Sequence, residues 1–270
     1  MSAEASPTAV VVRHEPMVAL GNFGPVLRER GYRIVFVDAW SPTFAADLAA
    51  VADAELLVVL GSARGVYEAH EHPFIGTEIA FVRDRLASER PTLGVCFGAQ
   101  LIAAALGSEV RRGGSVEVGY RDVRPTDAGL DSPVRHILEV PVAEWHGDTF
   151  DLPEGVTRLA SSTAYENEAY GAGDWLLAVQ FHPELTDAMH EEWLVADAPY
   201  VERAGYDAEA LRADRERFGA GMQAASARML GAYLDGLSLD GPSLDGLSRK
   251  NVVSSSPQAS ASTPATTSTR

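Results

Sequence analysis

The sequence predicts an α/β protein built on an open, mostly parallel sheet with helices on both faces and with antiparallel strands added to it. Three observations predict this. Short aliphatic runs recur, Val10-Val11-Val12, Ile34-Val35-Phe36-Val37, Leu56-Leu57-Val58-Val59-Leu60 and Leu93-Gly94-Val95, and strands apolar on both sides belong to a sheet covered on both faces. Helical patterns separate these runs, as the crossovers between parallel strands require. A chain of 270 residues with 46% hydrophobic content can fill such a core.

Taken in order, the first run is followed by a helix at about residues 25–30 that stops at Gly31, a residue suited to a left-handed C-terminal cap. Residues 74–86 place Phe74, Ile75, Ile79, Phe81, Val82 and Leu86 on an amphipathic helix. The run at Leu93 leads through Gly94-Val95-Cys96-Phe97-Gly98 into a helical stretch over 99–106. Residues 115–123, 136–140 and 156–160 read as short strands with turn signals at Pro125-Thr126-Asp127 and Pro153-Glu154-Gly155, and supply the antiparallel additions. A last strong strand, 176–181, runs into His182-Pro183-Glu184, and helical patterns follow at 188–195 and 208–234. After Tyr233 a five-residue unit beginning Leu-Asp-Gly occurs three times, and from Ser254 the chain is mainly Ser, Thr, Ala and Pro. The expected organisation is one domain over 1–235 and a low-complexity, disordered tail over 236–270.

Composition narrows the function. With 38 acidic and 22 basic side chains, the formal net charge of -16 opposes a phosphate-binding surface, so nucleic acid is not expected as a partner. No run reaches the ~20 apolar residues of a membrane span, and the start lacks a basic region leading into an apolar one, so a cytoplasmic protein is expected. Lys250 is the sole lysine. An acidic surface with arginine in place of lysine suits a cytoplasm holding molar salt, and a GC-rich genome produces the same exchange. Cys96, the one cysteine, excludes an intramolecular disulfide and by itself a thiolate zinc site.

Cys96 is therefore a buried small hydrophobe or a working thiol. Its flanking glycines permit a tight strand-to-helix turn that lifts the central side chain above the sheet edge, and the start of a helix favours a thiolate. A thiol nucleophile needs a histidine to hold its proton and a third group to orient that histidine. His182 and Glu184 stand at the end of the last strand, where α/β sheets line their ligand crevices. Other polar clusters carry less. His70-Glu71-His72 could bind metal but suits a solvated loop, His14 and Glu15 follow the first strand and suit a structural role, and the Leu-Asp-Gly units lack the spaced carboxylates of a calcium loop.

Leu93-Gly94-Val95-Cys96-Phe97-Gly98-Ala99-Gln100 together with Gln180-Phe181-His182-Pro183-Glu184 resembles the class I glutamine amidotransferases, especially stand-alone relatives of the glutaminase domain of GMP synthase. The resemblance covers about residues 10–193. It implies a flavodoxin-like sheet, a Cys96–His182–Glu184 triad, and no metal or organic cofactor. The loop Leu60-Gly61-Ser62-Ala63-Arg64-Gly65 looks like the family's oxyanion loop, which with Phe97 implies oxyanion amides at Ser62 and Phe97. The segment Trp145-His146-Gly147-Asp148-Thr149-Phe150 looks like the family's His-Gly-Asp segment near the glutamine pocket, and Glu117-Val118-Gly119-Tyr120 is similar to a strand that lines it. Substrate contacts are thereby implied for Gly61, Gln100, Gly119, Tyr120, His146 and Asp148. Ser62 and Ala63 stand where the family has glycine and proline, and Ala99 where it commonly has histidine; a β-carbon at Ser62 restricts positive φ. The expected substrate is glutamine or a γ-glutamyl compound, with ammonia passing to a synthase or acceptor subunit. A γ-glutamyl hydrolase or peptidase acting alone, and a non-catalytic binding protein of the same fold, are the competing readings.

Overall fold

A computed structural model describes residues 6–237. In chain order the elements are β1 (Thr8–Arg13), α1 (Phe23–Glu29), β2 (Arg33–Asp38), α2 (Phe44–Ala50), β3 (Leu56–Val59), α3 (Pro73–Ala87), β4 (Thr92–Val95), α4 (Phe97–Ala105), β5 (Val110–Arg121), β6 (Arg124–Pro125), α5 (Asp127–Leu130), β7 (Val142–Phe150), β8 (Thr157–Ser161), β9 (Ala169–Ala172), β10 (Leu176–Val179), α6 (Asp187–Ala196), α7 (Ala198–Arg203) and α8 (Ala208–Gly236).

Eight strands form the main sheet in the order β2-β1-β3-β4-β10-β9-β8-β6. Strands β2, β1, β3, β4 and β10 are parallel, with Val10 paired to both Val35 and Leu57 and Leu93 paired to both Val58 and Leu177. Strands β9, β8 and β6 continue it antiparallel. The predicted doubly covered sheet is what forms, and side-chain alternation divides its strands between two cores. Val11, Val58, Leu93 and Val179 belong to one, and Val10, Val59, Leu57 and Ala178 to the other. Because both faces are buried, the strands read as continuous apolar runs instead of alternating ones.

Gly31 has φ +78 and closes α1 as expected. Two middle segments differ from expectation. Residues 136–140 do not form a strand: Ser132 accepts the Val134 amide at 3.1 Å, Pro133 follows it, and a single 3-10 turn spans Pro133–Ile137. Val134 and Ile137, three apart, are the residues this turn buries. The strand predicted over 115–123 forms as β5 but does not join the main sheet, pairing instead with β7 in a separate two-stranded sheet. Its register shifts between Arg112 and Glu117, a bulge that directs residues 113–116 away from the ladder. Helix α8 runs to Gly236 and Leu237 is buried, so regular structure passes just beyond the expected boundary at 235. The tail from 238 on, with most of the Leu-Asp-Gly repeats, lies outside the described residues. Among the described residues no helix is long and apolar enough to cross a membrane.

Candidate active site

Strand β4 ends at Val95, and the next residue departs from any ordinary strand or helix geometry. Cys96 has φ +52 and ψ -109, a conformation that costs a residue bearing a side chain about 1–3 kcal/mol. Surrounding hydrogen bonds hold it there: the Cys96 amide donates to the Val179 carbonyl at 2.8 Å, and the Cys96 carbonyl accepts from the Gln100 amide at 3.1 Å. The glycines on either side are required. A β-carbon at Gly98 would overlap the Val59 carbonyl oxygen, and one at Gly94 would lie 2.9 Å from the Ala99 nitrogen. The thiol thus stands at the start of α4, 5% exposed.

His182 follows β10, the strand beside β4. Its amide donates to the Ala143 carbonyl at 2.8 Å, and its ring Nδ1 lies 2.7 Å from Glu184 Oε1. That leaves the far side of the ring free to act on Cys96, which lines the same cavity. Both His182 and Glu184 are buried, and the Trp193 ring stands edge-on to the imidazole at 4.8 Å between centroids. Burial is the largest single influence on His182 and opposes its charge. The Glu184 carboxylate, and after it Cys96, together outweigh burial and hold the His182 pKa well above its ordinary value.

The turn carrying Glu184 is clamped from the other end of the chain. Gly21, at φ +48, lets the backbone press against the Glu184 carbonyl, whose oxygen accepts the Asn22 amide at 2.9 Å. The Asn22 side-chain amide donates to the Pro183 and Leu185 carbonyls at 3.1 and 2.9 Å. From α8, the buried Arg215 donates to the Leu185 carbonyl at 3.2 Å and to the Tyr120 hydroxyl at 2.7 Å.

The loop after β3 packs onto the same centre. A β-carbon at Gly61 would come 3.1 Å from His182 Cε1, so any larger residue there would crowd the imidazole. The Gly61 carbonyl oxygen is 2.9 Å from the ring Nδ1 of His14, whose Nε2 meets Glu78 Oε2 at 2.9 Å. His14 is therefore a buried strut, as the structural reading of it held. Ser62 avoids positive φ. Glu15 accepts the Ser62 hydroxyl at 3.0 Å and the Ala63 amide at 3.1 Å, so a carboxylate braces this loop and leaves the Ser62 amide unclaimed. Phe97 packs its ring on His14 and presents its backbone at the start of α4.

A cavity of about 960 Å³ opens over these groups and brings together Gly61, Ser62, Cys96, Gln100, His146, Asp148 and His182. Gln100 is fixed by donating to Gln180 at 3.0 Å, and Asp148 accepts from the Tyr67 hydroxyl at 3.4 Å. Gly119 and Tyr120 are not among the residues that line the cavity. The bulge in β5 sends residues 113–116 to the cavity wall instead, while Gly119 packs against Leu211 and Tyr120 beside Phe218. The cluster at 70–72 is solvated: the side chains of His70 and Glu71 are 75% and 64% exposed.

The model of the family "Glutamine amidotransferase class-I" matches residues 25–198. The chain belongs to the class I glutamine amidotransferases. Over 182 residues, covering 65% of this chain and 74% of the relative, it is 30% identical to the glutamine amidotransferase-like protein YfeJ of Salmonella typhimurium. It is 33% identical over 107 residues to a GMP synthase [glutamine-hydrolyzing] of Neisseria gonorrhoeae, 36% of this chain but only 19% of that enzyme. Among solved structures, a glutamine amidotransferase of Thermotoga maritima is similar over 86% of this chain and all of its own, with a TM-score of 0.75 and 27% identity.

In this family member several residues at or behind the site carry no sequence signal. Glu15 was visible only as a polar residue after a strand, and Gly21-Asn22 resembles any turn. Tyr200 and Arg203 line the cavity from α7, a helix too short for periodicity to reveal, and Asp197 from just before it.

Proposed function

We propose that this family member is a glutaminase acting through Cys96, His182 and Glu184. The observation that carries the proposal is the buried His182–Glu184 pair at 2.7 Å, sharing a cavity with a thiol held in strained backbone at a helix start. The Cys96 thiolate attacks the side-chain carboxamide carbon of glutamine, and the resulting oxyanion is met by the amides of Phe97 and Ser62. The His182 imidazolium gives its proton to the nitrogen, and ammonia leaves a γ-glutamyl thioester. Water then attacks the thioester carbon, giving its proton to His182, and glutamate leaves as the thiolate returns. Glu184 orients the ring and stabilises its charged form. No step calls on a cofactor, and the ammonia is free to serve a synthase or acceptor subunit.

The cavity volume favours a second reading in the same chemistry. About 960 Å³ is at the upper end of ligand pockets and exceeds what free glutamine fills, so a γ-glutamyl compound with a larger leaving amine also fits. Purified protein is tested with glutamine and with γ-glutamyl dipeptides, reading ammonia and free amine, and with an electrophilic diazo-ketone analogue of glutamine. Ammonia release with labelling of Cys96 is expected. Faster dipeptide turnover would select the hydrolase reading, and an unlabelled Cys96 with neither product would end both.

The orientation of His182 yields a sharper expectation. Its pKa is raised, so the imidazolium persists to higher pH than in an ordinary histidine and is lost as pH rises through that raised value. Glu184→Gln removes the charge chiefly responsible. Its kcat should fall by roughly 10²–10⁴-fold, and the alkaline limb of its pH–rate profile should move to lower pH. An unmoved limb would remove Glu184 from the mechanism.

A further inference from the structure

Next to the cavity, and not used by the proposed reaction, lies a group of three carboxylates and one imidazole from three segments of the chain. Glu117 on β5 is opposite His146 on β7 in the strand register, Glu144 precedes His146 by two on the same face of β7, and Glu168 stands just before β9 in the main sheet. All are buried, with residual exposures of 6%, 4%, 0% and 0% for Glu117, His146, Glu144 and Glu168. One ligand atom each from Glu117, His146 and Glu168 lies within 4.8 Å of the others. His146 Nε2 is 3.3 Å from Glu144 Oε2 and 3.9 Å from Glu117 Oε2.

The tautomer of His146 makes this arrangement informative. Its Nδ1 is 2.9 Å from the Asp148 carbonyl oxygen, and a carbonyl can only accept, so Nδ1 bears the proton. In the neutral ring Nε2 then presents a lone pair to the oxygens of Glu144 and Glu117, so either a proton or a cation must stand between them. A ring nitrogen donating to a backbone carbonyl is also what fixes the tautomer and orientation of metal-binding histidines. Among the described residues, His146 Nε2, Glu117 Oε2 and both oxygens of Glu144 and of Glu168 have no hydrogen-bond partner. Buried acceptors left in this state cost about 1–3 kcal/mol each, more when charged. The cation that approaches, Arg121, meets the other oxygen of Glu117 at 3.7 Å.

We infer that Glu117, His146 and Glu168 bind a divalent first-row cation, with Glu144 beside them as a further oxygen donor. Carboxylate oxygens with one imidazole and no thiolate suit a hard ion such as Mn²⁺. The ion supplies the positive charge that six unpartnered acceptors lack. It also ties the two-stranded β5–β7 sheet to the main sheet through Glu168, and fixes the cavity face of His146. This departs from the expectation of no metal, and it stands whether or not the proposed glutaminase reaction holds.

The test uses the full chain, stripped with chelator and titrated with Mn²⁺, reading free ion by electron paramagnetic resonance and the melting temperature in parallel. One equivalent is expected to bind and to raise the melting temperature. Glu168→Gln and Glu144→Gln, each nearly isosteric, should bind Mn²⁺ at least tenfold more weakly, while their metal-free melting temperatures do not fall. Cys96→Ser should bind Mn²⁺ as the wild type does, which separates this site from the thiol. Anomalous scattering from Mn²⁺-soaked crystals should place the ion between Glu117, His146 and Glu168. No binding by wild type at about 1 mM Mn²⁺, unaltered binding by both glutamine variants, loss of binding in Cys96→Ser, or an anomalous peak elsewhere alone would each overturn the inference.

Discussion

Cys96→Ala should lower glutamine turnover by at least roughly 10⁴-fold, because removing the nucleophile of a triad leaves only binding and oxyanion contacts. The fold should tolerate it. Alanine keeps the β-carbon that already occupies the strained backbone, and the substitution removes one sulfur at the cavity edge. The expected outcome is an inactive protein whose melting temperature stays within a few degrees of wild type, read by ammonia release and by thermal unfolding. Residual turnover above about one per cent in a folded Cys96→Ala protein would move the chemistry to another group.

Gly21→Ala should also be severe, for a reason remote from the thiol in sequence. The new β-carbon would overlap the Glu184 carbonyl oxygen and lie 2.9 Å from the Met189 sulfur, at a φ of +48 that alanine resists. Backbone cannot yield as a flexible side chain does, so the turn at 183–185 must shift and carry Glu184 with it. A displacement near 1 Å in a catalytic group costs roughly 10²-fold in rate, and the overpacking costs about 1–3 kcal/mol of stability. Assays well below the variant's melting point separate the two effects. Full kcat in folded Gly21→Ala would show that the turn tolerates the intrusion, and would retire the clamp as a positioning device.

The parallel half of the sheet was readable because strands buried on both faces leave long apolar runs, and Cys96 with His182 and Glu184 because they close two such runs. Residues 136–140 failed for want of tertiary information: Ser132-Pro133 starts a turn before the apolar residues begin, and their three-residue spacing serves helix α8. Strand β7 was hidden because Glu144, His146 and Asp148 put polar groups where a strand pattern expects apolar ones. Those polar groups face a cavity or a buried cluster, which no local pattern encodes. Gly119 and Tyr120 stand outside the cavity lining for a related reason. A bulge rotates the strand between them and the residues that do meet the cavity, and bulges leave little trace in composition.

Helix α8 touches the catalytic strands at both ends. Arg215 holds the turn beyond β10, while the Tyr233 hydroxyl donates to the carbonyls of Trp175 and Thr92, the latter 141 positions away at the opposite end of β4. Synthesis runs from the amino end, so the nucleophile, the histidine and the glutamate all leave the ribosome before the element that braces them. The turn after β10 and the start of β4 therefore gain their shared brace only once α8 has been made.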